Sequence, residues 1–492
     1  MRATAPSLLR GSLLNSADTA TSLVSAVIVS ILLARLLGPD RFGLYALVTT
    51  VVNFTLLFAR LGVGGTVRRY MAELDGSDQR RLGAVLAGWA MRVAISSMLV
   101  AAIVLALVAG PLSGFFHRQE LRGYLLIGVV GLLPMAANSV LRNVQRGLQH
   151  WRALLWLNLA TSPLWVAGCV VALTSGAGIA GVLVAGIAIE IICVGVLTIR
   201  TKRDLGLPRL RTRLPADLRA RLVRYNLGLA VLVVMNVIVW QRSELLFLGR
   251  FSGPQQVAFY AVPFGLTERV TDLLPGAILG VLLPTLSYAQ GAADPARFGE
   301  ILSDAARYLS MLALPICLFG IPLAGAGIAL LYGPAYEPAV PVLRILLAAS
   351  IFGVIGQAAS IALLGMEAQS WLLKTGLAAV VLSLTLDLVL IPRWGAIGAA
   401  IANGVTQASW TVAVTAPLWR RVSRAARAAV ARSGLVAVAL GLLLALTLVL
   451  GLPALVLLLA GVLATGLYAL ALARLHLLTT PGRQGLRPGE AL

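Results

Sequence analysis

Apolar residues along the chain fall into long runs, not the period-two alternation of a half-buried strand. About 20 mostly apolar residues make a helix that crosses roughly 30 Å of hydrocarbon. The clearest run, Ser433 to Ala473, has no Asp, Glu, Lys or Arg and is interrupted near its middle by Gly451, Leu452 and Pro453, so it reads as two spans. The same reading predicts about fourteen spans, near residues 12–36, 42–64, 83–109, 121–147, 153–174, 178–199, 223–248, 257–287, 307–332, 338–364, 370–391, 395–419, 433–451 and 454–474. The first run follows Arg2 and Arg10 and continues to Leu37 with no small-residue cleavage site ahead of a soluble domain. It is read as a span and not as a removed signal. The fold class is an all-α polytopic membrane protein.

The pattern is duplicated. LLARLLGPDRFGLYALV (32–48) returns as LFLGRFSGPQQVAFYAVP (246–263), with Gly38-Pro39 against Gly253-Pro254 and Tyr45 against Tyr260. RGLQHWRALLWLNL (146–159) is echoed by LLGMEAQSWLLKTGL (363–377), and GAGIAGVLVAG (176–186) by GAIGAAIANG (395–404). An even number of spans per copy gives both the same orientation, and transporters built from such parallel repeats bind substrate between them. The predicted organisation is a six-helix lobe over 1–199, a basic linker over 200–222, a second six-helix lobe over 223–420, and two extra helices with a tail over 421–492.

Composition supports the membrane reading. The chain is 59% hydrophobic and 12% charged, whereas soluble chains are near half apolar and a quarter charged. Net charge is +21, and only Lys202 and Lys374 among the 40 cations are not arginine. A nucleic-acid binder of that basicity needs a polar surface this chain lacks. With the N-terminus inside, 29 cations fall on the inner side, 6 outside and five within spans. That is the positive-inside signature, with both termini cytoplasmic. Cys169, Cys193 and Cys317 lie in apolar runs, and His117, His150 and His476 are isolated. No metal, cofactor-loop or triad spacing is found, and no loop is long enough for a soluble enzymatic domain, so an enzyme is not expected.

Several motifs together carry a family resemblance. ARLLGPDRFGLYAL joins spans one and two, RLGVGGTVRRYMAEL closes span two, SELLFLGRFSGPQQVAFYAVP and LLPGAILGVLLPTLS cover spans seven and eight, and LDLVLIPRWGAIGAAIANGVTQ covers eleven and twelve. In this order they resemble the Wzx-type polysaccharide biosynthesis branch of the multidrug/oligosaccharidyl-lipid/polysaccharide (MOP) superfamily, which also holds MATE drug exporters and lipid II flippases. The resemblance implies two six-helix lobes around a cavity open alternately to either side, in a bacterial inner membrane. It also implies a task, moving undecaprenyl-diphosphate-linked sugar units from the inner to the outer leaflet. A lipid II flippase and a MATE-type exporter remain as alternatives. A polymerase or ligase of the same pathway is the alternative from another class. The expected partners are the lipid-linked oligosaccharide, anionic lipids at the inner face, and the polymerase and glycosyltransferases of the pathway.

Charged residues within spans are the candidate site. A charge at mid-membrane costs about 2.5–3.5 kcal/mol on insertion scales, so it should face a cavity or a partner. Arg92, about 16 Å along its helix from Arg81 at 1.5 Å per residue, suits a diphosphate because a guanidinium forks onto phosphate and stays charged; the other reading is a buried pair with a carboxylate. Arg60 and Arg344 lie near span ends, where snorkelling explains them equally. Arg269, a further candidate for the diphosphate, clusters with Glu268 and Asp272, where the other reading is an ion pair locking span eight. Arg242, also a candidate for the diphosphate, and Glu244 need separate partners, Glu244 being a gate or an interfacial residue. Asp18, on a polar stripe with Asn15, Thr19 and Ser22, is the first ion-coupling candidate, since a partly desolvated carboxylate can take up a proton and the resemblance places an acidic coupling residue in this helix. Asp387 with Ser383, Asn403 and Asn236 resembles the sodium site of lipid II flippases. Glu190 is a third coupling candidate or the partner of an arginine. No cofactor is expected beyond a gradient of H⁺ or Na⁺.

Overall fold

A computed structural model describes residues 5–60, 62–206, 214–226, 243–273, 275–450 and 453–475, and these are helical with no strand. The helices are α1 (Ala5–Arg60), α2 (Val63–Gly76), α3 (Arg80–Phe115), α4 (Glu120–Gly147), α5 (Trp151–Thr174) and α6 (Gly178–Leu205). Residues 216–226 form the described part of α7. Then come α8 (Ser243–Phe251), α9 (Pro254–Leu273), α10 (Pro275–Gly291), α11 (Pro295–Leu331), α12 (Ala339–Gly365), α13 (Gln369–Thr415), α14 (Arg424–Val449) and α15 (Ala454–Arg474).

Ten of the described helices are long and apolar enough to cross a membrane. Two of them hold two predicted spans each. At 1.5 Å per residue a straight α1 would be about 84 Å long, but it turns at Gly38, whose φ of 73° and ψ of 171° lie in a region essentially closed to other residues. Pro39 then restarts the helix with its fixed φ. α13 turns likewise at Gly395. The ten helices therefore hold twelve of the predicted spans. The seventh has only its ends among the described residues. The eighth, expected over 257–287, falls in α9 and α10, which flank residue 274, itself outside the described residues.

The duplication is visible in backbone conformation. Positive φ occurs at Gly38 and Gly253, Asp78 and Ala293, His117 and Gly333, Gln149 and Glu367, and Gly178 and Gly395, every pair separated by 215 to 218 residues. At two of these pairs the following amide bonds back to the carbonyl five residues earlier in both copies: Gln79 to Leu74 and Asp294 to Ala289, His150 to Gln145 and Ala368 to Leu363. This is the helix-ending Schellman pattern.

Contacts divide the chain into two compact units, Met1–Ala258 and Phe259–Leu492. In the first, α4 packs against α1, α2, α3, α5 and α6, with Leu121, Leu125 and Leu132 fully buried among Leu47, Val48 and Met98. Leu218 and Leu222 seat α7 on Val67, Met71 and Leu86. Residues 243–258 continue the second repeat in sequence yet pack in this unit. A Cβ on Gly43 would overlap the Pro254 carbonyl oxygen and stand 2.5 Å from its carbon, and one on Gly249 would meet Leu47 at 2.9 Å and Phe116 at 3.2 Å. Arg250 lies over the Phe115 ring at 5.2 Å and 3.4 Å from His117 Nδ1. In the second unit α11 packs against α10, α12, α14 and α15, and Phe319 meets Tyr468 edge to face.

Candidate functional site

The C-terminal half of α4 places Asn138, Arg142, Gln145 and Arg146 at three- and four-residue intervals, so they lie along neighbouring faces. Asn138 is buried. Its amide donates to Glu190 Oε2 on α6 at 2.6 Å, while its oxygen accepts from Arg142 Nε at 3.1 Å. Gln145, fully buried, donates to Thr201 and Asp204 at 3.1 Å each and accepts from Arg200 at 3.3 Å. His150 stands 3.2 Å from Asp204. This network ties α4 to α6.

On the other side of α4, Asp18 of α1 is 3% exposed. Asn158 of α5 donates to its Oδ1 at 2.5 Å and to Ser22 Oγ at 3.0 Å. Arg146 Nη2 stands 4.0 Å from Asp18 Oδ2, well beyond the 2.7–2.9 Å of a charge-assisted hydrogen bond. The Arg146 side chain is about a third exposed, and its buried Nε has no hydrogen-bond partner among the described residues. Arg142 and Arg68 bear on the same guanidinium with like charge. The cluster thus sets Arg68, Arg142 and Arg146 against Asp18 and Glu190, one positive charge in excess. A loosely held guanidinium with like charges behind it suits a multivalent anion.

The sequence singled out Asp18 and Glu190 but not their partners. Arg142 and Arg146 counted as inner-side cations because they stand in the last turns of their run. Their i, i+4 spacing is the signal that marks one helix face. Asn138 and Asn158 carry no charge to single them out. Thr19 and Ser22 of the predicted stripe bond to carbonyls of their own helix at 2.9 and 3.0 Å, so only Ser22 also meets Asn158.

The remaining candidates are dispersed. Arg92 is exposed on α3 beside exposed Ser96, Leu99 and Ile103. Arg344 is exposed and donates to the Ile321 carbonyl at 3.3 Å. Glu244 is buried at the start of α8, while on α9 Glu268 is exposed and Arg269 half-buried. Asp387 is fully buried, with Ser383 half-buried one turn earlier; beyond the turn at Gly395, Asn403 accepts from Gln407 at 2.6 Å. Arg60 ends α1 and Asp272 lies near the end of α9, while Arg242 and Asn236 are outside the described residues. Arg307, another inner-side cation, is buried over the Tyr308 ring at 5.6 Å.

A second basic group joins α2 and α7. Arg69 lies 4.4 Å over the Tyr225 ring and 5.6 Å from Tyr70, and the hydrogen bond to Tyr225 pushes its already high pKa further up. Arg221 pairs with Glu73 at 3.1 Å, and Thr66 donates to Asn226 at 3.0 Å. Among the described residues no three His, Cys, Asp or Glu gather as metal ligands, and the three cysteines are buried and free.

A family model described as polysaccharide biosynthesis protein matches residues 32–341. The succinoglycan biosynthesis transport protein ExoT of Rhizobium meliloti (strain 1021) is 25% identical over 320 residues, which are 64% of this chain and 60% of that protein. The chain therefore matches less than two thirds of that relative's length. Among solved structures, the lipid II flippase MurJ in an inward closed conformation superposes with a TM-score of 0.74 at 12% identity, over 94% of this chain and 100% of that one. An inward-facing multidrug resistance MATE family transporter of the MOP superfamily gives 0.68 at 15% identity, over 82% of this chain and 94% of that one. At these identities the two structures establish the fold alone.

Proposed function

Since the chain belongs to the polysaccharide biosynthesis protein family, we propose that it is a flippase that moves a polyprenyl-diphosphate-linked oligosaccharide from the inner to the outer leaflet by alternating access. The observation that carries this reading is Arg146, facing the buried Asp18 at 4.0 Å with the like charges of Arg142 and Arg68 beside it. Guanidinium groups fork onto phosphate oxygens, and three of them against two carboxylates leave one positive charge in excess to meet a diphosphate. Arg92, exposed on α3, is a further cation for the same head group. Transport is coupled to an ion gradient, with Asp18 as first coupling residue and Asp387 as second.

The membrane is a bacterial inner membrane with both termini cytoplasmic, in keeping with the 29-to-6 split of cations. α7 then lies at the inner surface, where its exposed Arg219 and Arg224 meet anionic headgroups.

The test is genetic and chemical. Deleting the gene should stop one surface polysaccharide and leave its lipid-linked unit accumulated in the inner leaflet. Complementation with the Arg142→Gln, Arg146→Gln double variant should fail at wild-type protein levels. Normal polysaccharide without accumulation would reject the proposal, and accumulated lipid II would assign the chain to the lipid II flippase task.

A further inference from the structure

Three turns of the first unit meet at one of its ends. Asp40, just past the corner in α1, pairs with Arg118 of the turn between α3 and α4 at 3.5 Å. Arg250, near the end of α8, reaches His117 of that same turn at 3.4 Å and lies over the Phe115 and Phe251 rings at 5.2 and 5.6 Å. The close approach of Gly43 to the Pro254 carbonyl sets the α1 corner against the turn between α8 and α9. In the orientation proposed above, this is the outer end.

Positive charge collects here against the trend of the rest of the chain. Of the six cations counted outside, Arg35, Arg41, Arg118, Arg122 and Arg250 stand in these turns or within about one helical turn of them. Asp40 and Glu120 are the carboxylates among them, leaving three positive charges in excess. The bend itself does not ask for this charge. In the second copy the turn that corresponds to residues 117–122 is Gly333 to Pro338, which keeps the left-handed conformation at its first residue and has no cation.

The level of the cluster narrows what it can meet. His117, Arg118, Gln119 and Glu120 are all that separate the apolar runs of α3 and α4, so the turn sits where hydrocarbon gives way to headgroups. Leu36, Phe115 and Phe251 are exposed beside the arginines. Cations edged by open hydrocarbon fit an amphiphile. An inorganic anion would use only the charges, and so short a turn does not stand out towards a soluble partner. The Arg118 side chain is 44% exposed, and its 3.5 Å from Asp40 exceeds the 2.7–2.9 Å of a charge-assisted hydrogen bond, so its guanidinium has donors to offer.

We propose that this corner binds an anionic phospholipid of the outer leaflet, its phosphate on Arg118 and Arg250 and its acyl chains along Phe115 and Phe251. Such a site goes beyond transport, and takes from the reading above only the side of the membrane.

The experiment uses the full-length protein carrying a thiol-reactive dye at Gln119→Cys, in nanodiscs of phosphatidylcholine; Gln119 is exposed, whereas the three native cysteines are buried. Phosphatidylglycerol brominated on its acyl chains is added at rising mole fraction, with brominated phosphatidylcholine as reference, and quenching of the dye reports the lipid at the corner. Phosphatidylglycerol should reach half-quenching at about a tenth of the fraction that phosphatidylcholine needs, since each cation near the surface contributes about fivefold. Arg118→Gln with Arg250→Gln should lose most of that preference, and high salt should blunt it. Asp40→Asn should sharpen it about twofold or more, because Arg118 is released to the phosphate. Melting temperatures near the wild type show that the variants are folded. Equal quenching by the two lipids overturns the site and leaves the transport reading standing. So does a preference that survives in the folded double variant, or one that weakens in folded Asp40→Asn. Relief of the quenching by a far smaller amount of a short-chain polyprenyl diphosphate would give the corner to the carried lipid and overturn the choice of a phospholipid.

Discussion

Gly43 is the residue whose replacement by alanine tests the packing most sharply. The added Cβ would overlap the carbonyl oxygen of Pro254, with the carbonyl carbon at 2.5 Å and Pro254 Cα at 3.1 Å. Carbon–carbon contacts are comfortable near 3.5–4.0 Å, so two stretches of backbone must separate by about 1 Å, with no flexible side-chain tip to give way. Overpacking costs about 1–3 kcal/mol where side chains can adjust, and sometimes more; a backbone clash belongs near 3 kcal/mol. At about 2–4 °C per kcal/mol for units of this size, melting should fall by about 6–12 °C. Cys169, Cys193 and Cys317 are buried, so a thiol-reactive fluorophore reports unfolding of the purified protein as it is heated. Two glycines serve as references. Gly38 has open space around it but φ of 73°, so alanine there should lower stability through backbone strain alone, by about 1–3 kcal/mol. Gly110 lies within α3 and has neither neighbour nor positive φ, so Gly110→Ala should leave melting unchanged or raise it by up to about 1 kcal/mol. A Gly43→Ala protein melting within 2 °C of the wild type would refute the close approach of α1 to the turn before α9.

Asn138→Leu removes the donor to Glu190 and the acceptor for Arg142 at once, and should destabilise by about 1–3 kcal/mol per group left unsatisfied; unchanged melting would mean that water replaces the amide. Tyr468→Ala deletes a ring packed on Phe319 and should cost about 3–5 kcal/mol, read as faster proteolysis between α13 and α14. Glu73→Gln breaks an exposed pair with Arg221 and should change stability by less than about 1 kcal/mol, so a large drop in melting would show that α7 depends on that pair.

The spans were legible because a long apolar run, or a Gly-Pro corner, is a local property of the sequence. Twelve of them lie in the ten long helices, and the paired corners lie where the repeats were aligned. Asp18 could be picked out by its charge within a run. Its partners could not, because Asn158 and Arg146 come from α5 and α4, well over a hundred residues away. Charge counting assigned Arg142 and Arg146 to topology, and only the packing of α4 between α1 and α6 shows them in a network. Arg92 has the opposite history: depth along its helix marked it, yet its side chain is exposed on α3.

The left-handed corners record how the two copies have aged. Asp78 and Ala293 have no side-chain chemistry in common, and neither do His117 and Gly333, yet each pair keeps its bend. Substitution rewrote the letters and left the hinges of the drawing in place. Counting from those corners, Arg142, Arg146 and Glu190 correspond to Ser360, Leu364 and Gln407. One copy has specialised in charge and its twin has gone neutral, so the ancestral half-molecule need not have carried the chemistry that either copy performs now.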